Sequence, residues 1–530
     1  MTSSPDFTLA GLLAGIVDEK RLSALSEEER DLQVASLAHD SRQADPGTLF
    51  FCITGAQSDG HDFAADAVRG GAVALVVERY LPEIEIPQVC VADSRHVLAL
   101  AADVFYGHPS RRLRIIGITG TNGKTTTAYV LESILREAGR TTGLIGTVET
   151  RIAGVREHAE RTTPDALALQ QLLARMIETG VSDVVMEVSS HALDLERVGA
   201  VRFACTAFTN LSQDHLDWHH DMEHYFAAKK KLFTDYETAA RVINVDDAWG
   251  ARLFGELRQC DLRPFSVGAL SAQGSGDSTA AATVAAPVPP APCCDLAFDP
   301  DSVIYRATGT EFSVSEPDAG EATSRMQVPL VGSYNVHNVL VAVGCALCLG
   351  YGLDEIAPLL GRITPVPGRL EQVRAGQDFT VLVDYAHTDD ALRTALGALR
   401  GLTKGRLITV FGCGGDRDHG KRPLMGRAAG QCSDYVIATS DNPRSEDPAA
   451  ILRDVEAGLA PTHTPYEVIV DRASAIDRAI TLAAPGDCVF IAGKGHEDYQ
   501  IFADRTIHFD DREVARAALS AAGFALKDPS

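Results

Sequence analysis

The sequence predicts an α/β protein of three domains. A central, doubly wound parallel sheet carries a phosphate-binding loop, and a Rossmann-like α/β domain closes the chain. Three observations predict this. At 530 residues the chain exceeds what one core normally organises. Continuous apolar runs alternate with amphipathic stretches, the pattern of parallel strands buried on both faces. Several runs also end in polar, glycine-bearing loops, where open parallel sheets bind ligands.

The expected N-terminal domain covers 1–111. Its "PGTLFFCITG" and "GAVALVVE" are short apolar strands, and "DFAADAVRGG" between them has helical spacing ended by a glycine pair. The central domain, 112–365, opens with "RLRIIGITG", a buried strand running into a glycine loop, followed by the helix "TTTAYVLESILREAG". Further buried strands are expected at "DVVMEVSS", "ACTAFTNLS" and "ARVINVDD". Residues 268–298 are small, Pro-rich and nearly uncharged, as in a flexible surface insertion. "VLVAVGCALCLGYGL" (339–353) is too short and glycine-rich for a membrane span and suits a buried helix. "ITPVPGRLEQV" (363–373) resembles a hinge. In the last domain, 366–530, "FTVLVDYAHT", "RLITVFGCGGD", "DYVIATSDNP" and "DCVFIAGKGHE" each read as a strand with a functional end.

Composition narrows the function. An apolar share of 45% and a charged share of 23% are those of a soluble globular protein. A net charge of −24 argues against nucleic acid and anionic membranes as partners. The opening "MTSSPDFTLAGLLAGIVDEK" lacks the basic segment of a signal peptide, and the 11 scattered cysteines suit buried thiols in a reducing compartment. A cytoplasmic protein is expected.

"GITGTNGKTT" (117–126) is the strongest chemical signal. It departs from the usual P-loop spacing, leaving G-x-x-G-K-T from Gly120 through Thr121, Asn122, Gly123 and Lys124 to Thr125, with Thr126 following. Small residues let backbone N–H groups approach a triphosphate at a helix N-terminus. Lys124 would neutralise the β- and γ-phosphates, and the Thr125 hydroxyl would reach Mg²⁺. The bland alternative is a glycine-rich turn with a solvated lysine. Glu187 of "EVSSH" ends a strand expected beside the loop strand and could ligate the metal; strand-end carboxylates are also common caps. His215 and His219 have the i,i+4 spacing of a zinc pair on a helix, without a motif-spaced third ligand. "YFAAKKKLF" (225–233) reads either as a helix with a solvated basic face or as a lysine cluster that disfavours protonation of a buried member. "SDNPR" (440–444) is an Asn-Pro turn with a solvated Arg, or a carboxylate-gripping strand end.

Eleven stretches occur together and in order: "GITGTNGKTT", "RTTPD", "EVSSHALDLERV", "FTNLSQDHLDWH", "YFAAKKKLF", "GSYNVHN", "PGRLE", "DYAHT", "GCGGDRDHGKRP", "SDNPRSEDP" and "GKGHEDYQ". Over about residues 40 to 500 the chain thereby resembles the Mur ligase family. The resemblance is nearest to members that add meso-diaminopimelate to UDP-N-acetylmuramoyl-L-alanyl-D-glutamate, using ATP, in the cytoplasmic synthesis of peptidoglycan precursors. It implies that Lys124 and Thr125 hold ATP and Mg²⁺, that Glu187 and His215 ligate Mg²⁺, and that Lys229 carries a CO₂-derived carbamate. It implies ATP contacts at Asn335, Asn338, Arg369, Asp384 and His387, and contacts to the UDP-linked substrate at Ser41, Thr162, Thr163, Ser189 and Arg197. Diaminopimelate would meet Arg417, Asp441, Asn442, Arg444, Gly493 and Glu497. Arg444 would grip the distal carboxylate that distinguishes diaminopimelate from lysine. Two positions depart from the pattern: Leu195 stands where some members have Gln, and Asp389 where Pro is usual. A monomer is expected.

Two other classes compete. A degenerate ligase that only binds nucleotide or muropeptide would not need Lys124, Thr125, Glu187, His215 and Lys229 intact. A nucleotide switch or transport ATPase would hydrolyse ATP without an amino acid. Folylpolyglutamate synthesis or another Mur step is the alternative within the enzymes, against which the D-N-P-R stretch argues.

Overall fold

A computed structural model describes residues 7–55, 58–270, 294–306, 309–317, 323–364 and 366–524. The chain divides into two compact units. One comprises Met1–Gly117, Arg140–Ala204 and Ala228–Ala239, the other Ile118–Gly139, Cys205–Ala227 and Ala240–Ser530.

In the first unit, strands Ser36–Ala38, Thr48–Phe51, Ala72–Val77 and Gln88–Cys90 form a parallel sheet in chain order. The expected strand–helix–strand is present, with helix Ala64–Gly70 closed by Gly71 at φ 114°. Both sheet faces are apolar. Leu49, Phe51 and Val76 pack with Leu9, Leu12 and Val97 on one side. Phe50, Leu75 and Val77 pack with Ala64 and Ala67 on the other. The same unit holds strand Asp183–Glu187, parallel to Thr142–Ile145, from which an antiparallel meander runs through Glu149–Ile152 to Val155–His158. Helix Ala166–Glu178 is N-capped by Asp165, which accepts from the Ala168 N–H.

Strand Arg114–Thr119 leads into the second unit, whose first helix, Lys124–Glu137, follows the glycine loop. Strands Cys205–Phe208, Arg241–Asn244, Phe265–Ala269 and Leu296–Phe298 pair in parallel. The last two trim the expected insertion at both ends; 271–293 lies outside the described residues. Helix Ser333–Cys348 takes up the first part of the apolar run 339–353, where Val339 to Val343, Cys345 and Ala346 lie in the core; the helix ends before the glycine-rich remainder, and Gly350 is exposed. Within the helix Cys345 and Cys348 share a C-x-x-C spacing; contact with Cys205 and burial push the Cys348 thiol far up, away from the reactive thiolate.

The C-terminal sheet is ordered Glu371–Gln372, Thr380–Asp384, Cys488–Ala492, Leu407–Phe411, Tyr435–Ala438 and Tyr466–Val468. All pairs are parallel except the first. Period-two alternation divides its side chains between two cores, Leu382, Phe411 and Phe490 on one side and Val381, Val383, Val410 and Ile491 on the other. The four strands expected in this domain are therefore adjacent, and their carboxyl ends point the same way. Helix Asp389–Leu402 begins at the residue that replaces the usual Pro; Thr388 caps it by accepting from the Ala391 N–H. Among the described residues no helix is long and apolar enough to cross a membrane.

Candidate active site

The glycine loop is shaped by backbone geometry that only glycine meets without strain. Gly120 has φ 147°, and a Cβ there would lie 1.9 Å from Thr209 Oγ1. Gly123 has φ 86°, and its Cβ would lie 2.1 Å from Asn338 Oδ1. The segment after strand Cys205–Phe208 holds the loop from below. The Thr121 N–H donates to the Asn210 carbonyl and the Asn122 N–H to Asn210 Oδ1, both at 2.9 Å. Thr209 Oγ1 donates to the Asn122 carbonyl at 2.7 Å. Lys124 Nζ donates to the carbonyls of Gly120 and Thr121 at 2.9 and 2.8 Å, so its charge sits over the loop. Gly123 caps helix Lys124–Glu137 without a side-chain hydrogen bond, the arrangement that offers N–H groups and the positive helix end to an anion.

Beside this loop lies a cavity of about 350 Å³, lined by Asn122, Gly123, Thr126, Asn338, Arg369 and Asp384 among others. Asn335 and Asn338 are buried; Asn338 Nδ2 donates to Asn335 Oδ1 at 3.1 Å, and Asn335 Nδ2 to the Val331 carbonyl at 2.7 Å. The Arg369 guanidinium stacks 4.8 Å from the Tyr385 ring centre and reaches Thr125 Oγ1 at 3.4 Å. Its Nε is buried without a hydrogen-bond partner among the described residues. Asp384 accepts from the Leu370 and Ala386 N–H groups, which fixes the turn carrying Arg369. Burial pushes the Asp384 carboxyl up, against the pull of Arg369. His387 donates from Nδ1 to the Tyr385 carbonyl and turns Nε2 toward Asp214, 3.8 Å away. Asp214 is buried, yet His387, His215 and Lys421 hold its carboxyl well below the usual range.

The first unit gathers a second group. Glu187 is 1% exposed; it accepts from the Thr147 N–H at 2.9 Å and the Thr147 hydroxyl at 3.0 Å. Thr147 Oγ1 lies 3.1 Å from that of Thr162. Thr163 Oγ1 donates to the Glu187 carbonyl and accepts from the Ser189 N–H, while Arg197 Nη1 donates to the Thr163 carbonyl at 3.0 Å. Five expected residues, Glu187, Thr162, Thr163, Ser189 and Arg197, thus belong to one network. Lys229, on helix Met222–Thr234, is 1% exposed, so the helix does not present it on a solvated basic face. Ser41 opens a 3-10 turn capped by Asp40 and is not part of that network. Among the described residues no three His, Cys, Asp or Glu side chains gather as a metal cage.

The four C-terminal strand ends form the third group. Asn442 accepts from Lys494 Nζ at 3.2 Å and from the Ile501 N–H at 3.0 Å, and donates to Glu497 Oε2 at 2.9 Å. Lys494 is fully buried and lies 3.1 Å from Glu497. Burial and then Asp441 push the Glu497 carboxyl up; Lys494 opposes them. Arg444 has φ 52° and donates from Nη1 to the Gly415 carbonyl at 2.7 Å. Gly493, at φ 118°, leaves no room for a Cβ, which would lie 2.5 Å from Asp441 Oδ2. The Gly493 N–H donates to the Asp384 carbonyl at 3.1 Å, joining this group to the residues around the cavity. Arg417 is exposed on the turn before helix Lys421–Cys432.

Comparison with known proteins decides the family. Residues 33–106 match the Mur ligase family catalytic domain, 118–346 the Mur ligase middle domain and 368–495 the Mur ligase glutamate ligase domain. A UDP-N-acetylmuramoyl-L-alanyl-D-glutamate–2,6-diaminopimelate ligase of Solibacter usitatus (strain Ellin6076) is 44% identical over 94% of this chain and 96% of its own length. The enzyme of the same name from Geobacillus thermodenitrificans (strain NG80-2) is 46% identical over 92% of this chain and 95% of its own.

The chain belongs to the Mur ligase family.

Solved structures agree on the fold. A UDP-N-acetylmuramoyl-L-alanyl-D-glutamate–2,6-diaminopimelate ligase superposes with a TM-score of 0.66 at 29% identity, covering 98% of this chain and 99% of that one. MurF ligase from Thermotoga maritima, solved with ADP, gives 0.60 at 18% identity over 92% and 98%. This Mur ligase has supporting residues that the motif reading passed over. Asn210 and Thr209 hold the glycine loop, Thr147 orients Glu187, Lys494 orders Asn442 and Glu497, and Asp390 accepts from Asn122 Nδ2 at 3.2 Å. Asn210, Thr209 and Lys494 lie inside quoted motifs, so position within a motif was the available signal. Thr147 and Asp390 have no motif signal and are found only through folding.

Proposed function

We propose that the chain joins meso-diaminopimelate to the D-glutamate carboxyl of UDP-N-acetylmuramoyl-L-alanyl-D-glutamate, through an acyl phosphate made from ATP. One observation carries this: the glycine loop and Arg369 border a single cavity with Asp384, and the Asp384 carbonyl is bonded to Gly493 of the Asp441–Arg444–Glu497 group. A site for phosphoryl transfer and a site for an amino acid are adjacent, as ligation needs and hydrolysis does not. The 44% identity to a relative of that name supports the substrate choice.

A carboxylate oxygen of the substrate attacks the γ-phosphorus and ADP leaves. The amine nitrogen of diaminopimelate then attacks the acyl carbon, a tetrahedral intermediate collapses, phosphate departs and the nitrogen loses a proton. Lys124, Arg369 and the N–H groups at the start of helix Lys124–Glu137 stabilise charge on the transferring phosphoryl. Asn335, Asn338 and His387 belong to the nucleotide side of the site. Thr162, Thr163, Ser189 and Arg197 hold the UDP-linked acyl donor, and Ser41 its uridine diphosphate. Arg444, with Arg417, takes the distal carboxylate of diaminopimelate, while Asp441, Asn442 and Glu497 take its ammonium end.

Thr125, Glu187 and His215, with Lys229 as a carbamate, are the residues that would supply oxygen and nitrogen donors to Mg²⁺. Adding CO₂ to the Lys229 amine would replace it with an anionic oxygen ligand of the kind that hard cations prefer. When bound, the metal supplies charge neutralisation to the phosphates. The domains would run over 1–111, 112–365 and 366–530, in a monomer working in the cytoplasm.

The test is product analysis. Purified protein with ATP, Mg²⁺ and the UDP-dipeptide receives meso-diaminopimelate, L-lysine or no amino acid. A tripeptide mass with diaminopimelate alone is expected. Equal use of lysine would remove the role of Arg444, and phosphate release without any amino acid would replace ligation with hydrolysis.

A further inference from the structure

Behind the amino-acid group lies an ion pair that no step above uses. Arg472 and Asp511 both have fully buried side chains. The pair is bidentate: Arg472 Nε donates to Asp511 Oδ1 and Nη2 to Oδ2, each at 2.7 Å. Two further guanidinium N–H groups go to main-chain carbonyls. Nη2 reaches Ala492 at 3.0 Å and Nη1 reaches Ser440 at 3.3 Å.

Those two carbonyls are informative. Ser440 precedes Asp441 and Asn442, and Ala492 precedes Gly493 and Lys494. They belong to strand ends that are not neighbours in the sheet, because Leu407–Phe411 runs between Tyr435–Ala438 and Cys488–Ala492. No sheet hydrogen bond can therefore set the distance between them. Close approach is nevertheless required, since Asp441 Oδ2 occupies the space over Gly493. Gln500 adds a second tie on one side only, donating to Ser440 Oγ at 3.1 Å and to the Asp441 carbonyl at 2.7 Å. Arg472 spans both.

Stability alone does not explain the pair. Burying two charges costs several kcal/mol per ion, and well-packed apolar residues of similar size are often as stable or more so. An Arg fork does what apolar packing cannot: it fixes two carbonyls in one plane at hydrogen-bond precision.

We propose that Arg472, oriented by Asp511, is a positioning residue for the amino-acid pocket. It sets the spacing between the Asp441–Asn442 end and the Gly493–Lys494 end, and through them the placement of Asn442 and Glu497 against the incoming amino acid. This rests on the reading of that pocket given above.

The test uses full-length protein and two variants. R472M/D511L removes the pair without leaving an unpaired buried charge, and R472K keeps the charge but loses the fork. Thermal unfolding and the separate KM values for ATP, UDP-dipeptide and amino acid are measured. With the two ends of the pocket loosened, the amino-acid KM is expected to rise about tenfold, equivalent to about 1.4 kcal/mol of lost binding. The other two KM values stay within about twofold of wild type. R472K shows the same selective rise and provides the readout if the double variant does not fold. A folded variant whose amino-acid KM is unchanged, or whose three KM values rise together, overturns the positioning role. Wild-type protein that uses lysine but not diaminopimelate defeats the substrate reading alone, and the same KM comparison is then made with lysine.

Discussion

Replacing Gly123 by Ala isolates the geometry of the glycine loop. The backbone there has φ 86°, and the added methyl would meet Asn338 Oδ1 at 2.1 Å and Cγ at 2.9 Å. A left-handed conformation costs a non-glycine residue about 1–3 kcal/mol, and forcing a methyl into filled space costs about 1–3 kcal/mol more. At about 1.4 kcal/mol per factor of ten, even the lower sum weakens nucleotide binding about thirtyfold. The obstacle is the tip of one side chain, so the two costs can be separated. Asn338→Ala removes the clash but not the strain. ADP affinity by calorimetry is measured for G123A, N338A and G123A/N338A. The double variant should bind better than the two single losses predict, by about 1 kcal/mol or more. Strict additivity, or G123A binding like wild type, would refute the claim that Gly123 is dictated by Asn338 and by its own φ.

Other perturbations follow from the same structure. Arg444→Met should abolish selection of diaminopimelate over lysine while leaving ADP affinity within about twofold, read from competition between the two amino acids. Asp165→Ala removes a helix cap and should cost about 1 kcal/mol in denaturant unfolding at pH 7. Burial opposes ionisation of Asp165, but His39 and the Ala168 N–H outweigh it and hold the carboxyl at about 2. The folded value lies below the unfolded one, so the ionic part of the deficit is present above pH 3.8 and shrinks as pH falls toward 2. Asp247 behaves oppositely. Burial, with Asp390 adding to it, pushes its carboxyl up to about 6. Asp247→Asn keeps an N-cap and should stabilise the protein above pH 6, with the gain fading as pH falls from 6 toward 3.8; no gain at pH 8 would contradict this.

Much of this was legible in the sequence because strand periodicity and strand ends coincide. Apolar runs such as Val381–Val383 and Val489–Ile491 are too continuous for one-sided burial, and polar residues stand at their carboxyl ends, Asp384 at one and Lys494 at the other. The helix carrying Lys229 looks basic and solvated when read alone; burial of that one lysine comes from tertiary packing. What could not be read was support at a distance. Thr147 lies 40 residues from Glu187 and Asp390 lies 268 from Asn122. Asp511 meets Arg472 from 39 residues away. Such pairs follow from strand order, and neither propensity nor local spacing encodes it. The expected insertion covers two strand ends that pair in parallel: Gly268 and Ala269 carry little strand signal, and Leu296–Phe298 is only three residues long.

The most direct measurement follows one oxygen atom. UDP-N-acetylmuramoyl-L-alanyl-D-glutamate labelled with ¹⁸O in the glutamate side-chain carboxylate is turned over with ATP, Mg²⁺ and meso-diaminopimelate, and the released phosphate is weighed by mass spectrometry. Bond formation through an acyl phosphate transfers one ¹⁸O to each phosphate. Unlabelled phosphate would mean that water takes the phosphoryl group, and would contradict the account.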